Sequence, residues 1–211
     1  MAIVITKRAL EEVLKKQDME LYGADAVVAD LLTFIKSLTA SESYNYEEDF
    51  KDSLASLISL KYHDIVEVET VSLTDDDHSK WRIDIVLRCQ KEYIPIELKY
   101  RHNYQSINGY AKDFVEDVHR INELVNEYDD IPYGFAICLT NIKDLVEDCN
   151  KEIKEYDASE EAKLYENNRI QWEDATKDYK IGIVKRYETA HRRNFPNNNS
   201  FKEYWDKKVK K

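Results

Sequence analysis

Glycine is scarce in this chain: four residues in 211. An all-β fold turns often and relies on glycine at its tight corners. With a charged fraction of 35%, that shortage favours helices over a turn-rich all-β architecture. Cysteine is limited to Cys89, Cys138 and Cys149, an odd and widely spaced set. Such a set reads as unpaired, buried thiols of a cytoplasmic protein. No Cys/His spacing suggests zinc. Apolar runs are too short to cross a bilayer. The first residues, MAIVITKRALEEVLKK, lack the apolar stretch and small-residue cleavage site of a secretory signal. No membrane partner is therefore expected. Excess positive charge is missing as well, the formal net charge being −11. That argues against a simple sequence-independent coat on nucleic acid, which binds by neutralising phosphates. It leaves room for an enzyme that meets DNA through one local patch.

Hydrophobic residues make up 43%, enough for a core, and the length suits one globular domain with decorations. Leu10, Val13, Leu14 and Leu21 form a helical stripe over residues 6–22, which Gly23 stops. A second helix is expected from Ala24 to Leu38. This N-terminal hairpin, residues 1–40, either caps the sheet or forms a dimer surface. A helix over 46–60 follows, with Phe50, Leu54, Leu57 and Ile58 inward. Residues 64–73 read as a strand, and TDDDHSK at 74–80 as a solvated hairpin tip whose acids and His78 point apart. Strands over Trp81–Leu87 and Tyr93–Tyr100 complete an antiparallel meander.

Gly109 to Tyr128 is the strongest helical pattern, with Phe114, Val118, Ile121 and Val125 inward. Asp113, Asp117 and Arg120 fall on its other flank, where Asp117 and Arg120, three apart, can pair at little gain if exposed, and His119 is expected at the surface. IPYGFAICLT, 131–140, is nearly continuously apolar, as a strand buried on both faces is. A helix between it and the preceding strand implies a crossover and parallel pairing. The expected fold is therefore α/β. Its core, residues 41–141, runs helix, three strands, helix, strand, with a mixed sheet of four to five strands flanked by helices. Residues 142–211 add helices near 144–156, 159–167 and 201–211, and an edge strand at 180–187.

The candidate chemistry lies in Trp81–Tyr100, WRIDIVLRCQKEYIPIELKY. Residues two apart on a strand share a face, so Glu97 and Lys99 point the same way and Leu98 the other. Asp84 is set among the apolar Ile83, Ile85 and Leu87 of the neighbouring strand. Two carboxylates and an ammonium at the ends of buried strands are expensive unless they hold something. A divalent cation suits hard carboxylate oxygens, magnesium above all.

An apolar residue with Asp84, followed on the next strand by Glu97-Leu98-Lys99, resembles the PD-(D/E)xK phosphodiesterase superfamily, with its restriction-endonuclease-like fold. The resemblance spans residues 44 to 140. Ile83 stands where the family pattern has proline. The resemblance implies a nuclease, a hydrolase of phosphodiester bonds that acts on DNA with Mg2+ or Mn2+. Asp84, Glu97 and the main-chain carbonyl of Leu98 would hold the metal. Glu47, from the first core helix, would add a further ligand, with Glu48 as the second choice. Lys99 would position or deprotonate the water, or neutralise charge at phosphorus. A homodimer would supply the two sites of a double-strand cut.

Gln105 and Tyr110 stand one residue too far apart for the Gln-x-x-x-Tyr of RecB-like nucleases. Gln105 stays only as a candidate substrate contact. Basic residues outnumber acidic ones from Arg169 onward. Among them Lys185, Arg186, Arg192 and Arg193 form either a solvated end or a phosphate-facing surface. Two rival functions remain open. One is a catalytically inactive nucleic-acid-binding or regulatory protein on the same scaffold. The other is a helical interaction module that assembles through the N-terminal hairpin.

Overall fold

A computed structural model describes residues 24–41, 44, 46–62, 66–73, 81–89, 91–101, 109–157, 170–187 and 198–208. The expected helices at 6–22 and 159–167, the hairpin tip at 74–80, Gln105, Arg192 and Arg193 lie outside these residues. The described elements are α1 (Ala24–Ser41), α2 (Glu47–Tyr62), β1 (Val66–Leu73), β2 (Trp81–Cys89), β3 (Glu92–Arg101), α3 (Tyr110–Glu127), β4 (Tyr133–Thr140), α4 (Lys143–Asp157), β5 (Gln171–Asp174), β6 (Lys180–Tyr187) and α5 (Phe201–Lys208).

The two most apolar strands lie at the centre. β3 is buried from Tyr93 to Leu98 and β4 along its whole length. Cover on both faces is why neither sequence alternates cleanly. The strands follow the order β1-β2-β3-β4-β6-β5 in one six-stranded sheet. β3 and β4 are parallel, joined across α3, and the other neighbours are antiparallel. The architecture is α/β with a mixed, helix-flanked sheet, as the patterning indicates. Five of the strands are the expected ones. The sixth, β5, is a short polar segment whose pairing with β6 seats the Trp172 ring against Gly182.

α1 and α2 cover one face of the sheet. The acids Glu47, Glu48 and Asp49 occupy the first turn of α2 and Lys61 the last, which suits the helix dipole. Phe50, Leu54, Leu57, Ile58 and Tyr62 are buried against Leu31, Phe34, Ile35 and Leu38 of α1 and the side chains of β3 and β4. The buried Asp30 ties the two helices, taking Lys61 Nζ at 2.5 Å and the Tyr62 hydroxyl. The second arm of the expected hairpin is thus a helix packed on the core.

α3, α4 and α5 cover the other face. Phe114, Val118, Ile121 and Val125 are buried as their spacing implies, and so are Leu145, Cys149 and Ile153 of α4. Asp130 caps α5 from a distance, accepting from the amides of Phe201 (2.5 Å) and Lys202 (2.9 Å) and from Ser200 Oγ (2.9 Å). Among the described residues no helix is long and apolar enough to cross a membrane.

α3 sits close to the sheet because Gly134 has no side chain. A Cβ there would meet Ile121 Cγ2 and Pro95 Cγ, each at 2.9 Å. Gly134→Val should push α3 off the sheet and destabilise the fold by about 1–3 kcal/mol, the usual range for overpacking. Urea unfolding of the variant against the wild type checks this. An unchanged midpoint would show that the contact is slack.

Candidate functional site

Side chains of β3 alternate between the two layers. Ile94, Ile96, Leu98 and Tyr100 pack toward α1 and α2. Glu97 and Lys99 therefore face α3. Glu97 is 3% exposed.

Asp84 reaches the same place through an irregularity in β2. Glu69 pairs with Val86 and Val71 with Ile83, so Asp84 and Ile85 both lie opposite the single Thr70. That β-bulge puts Ile83 with Val86 on the α3 side, rather than with Ile85 and Leu87 as strict alternation predicts. Bulges re-aim side chains in this way. Asp84 Oδ2 then accepts the Leu98 amide at 2.9 Å, just past the last β2–β3 pair, Ile85 and Ile96. The N–H and C=O of one strand residue face the same neighbour. The Leu98 carbonyl therefore turns toward the same gap as its amide.

Glu97 is held protonated well above the ordinary carboxylate range. Burial is the largest cause, followed by the charges of Asp117 and Asp84 and a hydrogen bond with Asp84. Two hydrogen-bonded carboxylates share a proton or a cation. Glu97 Oε1 is fully buried and has no hydrogen-bond partner, a rare condition in a folded protein.

Lys99 Nζ lies 3.0 Å from Asp117 Oδ2. Burial alone would lower its pKa, but the charges of Asp117, Glu47 and Asp84 outweigh it and the pKa is raised. Lys99 is thus held as an ammonium ion and suits charge neutralisation rather than proton abstraction. Asp117 corrects the sequence-based placement on the flank away from the apolar stripe. It does bond Arg120 Nη1 at 3.1 Å, yet it is only 1% exposed and its main partner is Lys99. Burial pushes its pKa up to about 6, against the pull of Lys99 and Arg120. The signal was present, since Phe114, Asp117 and Ile121 follow one helical stripe.

Glu47 opens α2, and Phe50 one turn later stacks on Tyr100, centroids 5.8 Å apart. This contact sets the helix start over the end of β3. Glu47 Oε2 accepts from the Tyr100 amide at 2.9 Å and the Tyr110 hydroxyl at 3.0 Å. Glu48 points outward and pairs with Lys51 Nζ at 2.7 Å. Lys51 is a further group that sequence reasoning passed over. It is 2% exposed, with Nζ 3.9 Å from Asp84 Oδ1, and it continues the stripe toward Leu54 and Ile58.

Asp84, Glu97 and Lys99 are therefore brought together, and Glu47 stands at the same strand end. Lys185 is not. Its Nζ sits 4.1 Å over the Tyr133 ring, in the layer of α1 and α2, opposite the face that carries Lys99. Arg186 is placed by its backbone on β6, opposite Gly134. Among the described residues no three His, Cys, Asp or Glu side chains form a ready-made metal cage. Magnesium does not require one. It commonly takes one or two carboxylates, several waters and a substrate phosphate. The Asp84–Glu97 pair, with an unused buried carboxylate oxygen, fits that pattern.

Glu97 and Asp117 keep their protons to higher pH in the folded chain than in the unfolded one. In the unfolded chain they ionise near pH 4. The stabilisation from their protons is complete below that value. It is lost as pH rises, through about 6 for Asp117 and higher for Glu97. In metal-free buffer the wild type should lose stability from pH 4 to pH 7. Glu97→Gln should flatten that decline and raise the Tm at pH 7 by a few degrees. Thermal melts of both proteins across this range check it, and a lower Tm for the variant at pH 7 would contradict it.

No protein-family model, no curated protein and no solved structure matches this chain.

Proposed function

We propose that the chain is a divalent-metal-dependent nuclease that hydrolyses phosphodiester bonds in DNA on a restriction-endonuclease-like core. The observation that carries this is the pairing of half-buried Asp84 with buried Glu97 at the β2–β3 divergence, with Lys99 alongside on the same face. The order α2, β1, β2, β3, α3, β4 supports the same core. Asp84, Glu97 and the Leu98 carbonyl would hold Mg2+ or Mn2+, which when bound polarises phosphate oxygens and lowers the pKa of water.

The chain's own groups have distinct tasks. Glu97, beside Asp84, ionises at a high cost in its buried position unless a cation is near, which gives the site its affinity for one. Lys99, kept charged by Asp117, offsets the charge that builds on the phosphate. Glu47, fixed by the Tyr100 amide and the Tyr110 hydroxyl, holds a further carboxylate at the rim as an outer ligand. A cytoplasmic setting suits the buried thiols of Cys138 and Cys149. A homodimer would serve double-strand cutting.

A scaffold that binds nucleic acid or regulates a partner without cutting is the second reading, and the net charge of −11 favours it. Nicking of plasmid DNA with Mg2+ and without it separates the two. Asp84→Asn, Glu97→Gln and Lys99→Met should each reduce the rate by roughly 10²–10³-fold, as loss of one preorganised charge-stabilising group does. Full activity in all three variants would end the proposal.

Metal binding has its own readout. Millimolar Mg2+ or Mn2+ should raise the Tm of the wild type, because a ligand of the native state alone stabilises it. The same addition should leave Glu97→Gln and Asp84→Asn unmoved. Equal shifts in all three proteins would place the ion elsewhere.

A further inference from the structure

Among the described residues three cations at this site have carboxylate partners. Lys51 pairs with Glu48, and Lys99 and Arg120 pair with Asp117. Arg101, the last residue of β3, pairs with no carboxylate among the described residues. Its guanidinium carbon lies 4.1 Å over the centroid of the Tyr110 ring. Its Nε is buried and has no hydrogen-bond partner. Arg101 follows Lys99 by two positions on a strand still in register with β4, Arg101 opposite Thr140. Glu97, Lys99 and Arg101 therefore form one row on one face.

The platform beneath Arg101 is rigid. The Tyr110 hydroxyl donates to Glu47 Oε2 at 3.0 Å and approaches the Tyr100 carbonyl at 3.1 Å. Burial first, then the Glu47 charge, keeps that phenol protonated. A stacked guanidinium presents its donors as a planar fork, and its complement is a pair of oxygens from one oxyanion. Among the described residues Arg101 takes no carboxylate partner, although Glu47 is bonded to the same Tyr110 hydroxyl.

We infer that Arg101, stacked on Tyr110, is the receptor for a backbone phosphate of the substrate, one beside the bond to be cut. The inference rests on the nuclease reading for the identity of the ligand. It does not rest on cleavage. The site would work as an anion fork next to a cation-binding pair, so that the strand is gripped by Arg101 while its neighbouring phosphate faces Lys99.

The test is binding of a fluorescein-labelled DNA oligonucleotide, single- and double-stranded, to the full chain in EDTA. Fluorescence anisotropy is read across a salt series. Arg101→Gln should weaken binding about tenfold, since hydrogen bonds to charged groups carry that much. It should also reduce the slope of log Kd against log salt by about one, the signature of a lost phosphate contact. Arg101→Lys should keep the slope and recover part of the affinity. A role confined to folding would lower the Tm of Arg101→Gln and leave the slope alone. Wild-type cleavage in Mg2+ with an unchanged slope in Arg101→Gln overturns the inference and spares the nuclease. A slope that depends on Arg101 with no cleavage in Mg2+ supports the fork and removes the hydrolytic reading. No binding by the wild type overturns the inference, and nicking in Mg2+ then decides the nuclease reading by itself.

Discussion

One buried carboxyl group sets the terms for this structure. Glu97 sits at 3% exposure on a strand covered on both faces, beside Asp84 and near Asp117. A carboxylate so desolvated either keeps its proton or requires a cation close by. Among the described residues the charge of Arg120 opposes this but does not offset it. Lys99 is turned to Asp117, Lys51 to Glu48, and Glu97 Oε1 has no partner. Natural proteins keep strain of this kind where it serves binding or catalysis, and offset it with packing elsewhere.

That packing comes from both faces of β3. On one side the Phe50, Tyr44 and Tyr179 rings gather about Tyr100, whose hydroxyl reaches the Tyr44 carbonyl at 2.8 Å. On the other, α3 lies against Gly134, close enough for Asp117 to meet Lys99. The two helices that begin at the site, α2 with Glu47 and α3 with Tyr110, meet at the end of β3 through a hydrogen bond. Charged groups from four elements are thus fixed at one strand end by apolar contacts that carry no chemistry themselves.

The protonation pattern follows from the same arrangement. Glu97 and Asp117 are both shifted up, chiefly by burial, while Lys99 is shifted up by its carboxylate neighbours. A lysine with a raised pKa is a poor base and a dependable cation. Under the proposed function this favours the electrostatic task among the three open to Lys99 on sequence grounds. It also explains why Asp117, which touches neither Asp84 nor the Leu98 main chain in the described hydrogen bonds, bears on the site.

Local patterning was enough for the α/β class, the order of elements from α2 to β4, and the inward stripes of the helices. It was also enough to put Glu97 and Lys99 on one face. These depend on periods of 3.6 and 2.0, which a single segment displays by itself. The direction of Asp84 was not legible, because it depends on a bulge set by the register against β1. Nor was the burial of Asp117 and Lys51, although both sit on apolar stripes, because stripe edges are assigned by what packs against them. Nor was it legible that Lys185, a candidate phosphate contact, lies over Tyr133 in the layer opposite Lys99. Period alone therefore determined which residues share a face where a segment is regular, as on β3, but not across the bulge in β2. Tertiary packing decided which faces meet, since that is fixed by contacts between segments distant in the chain.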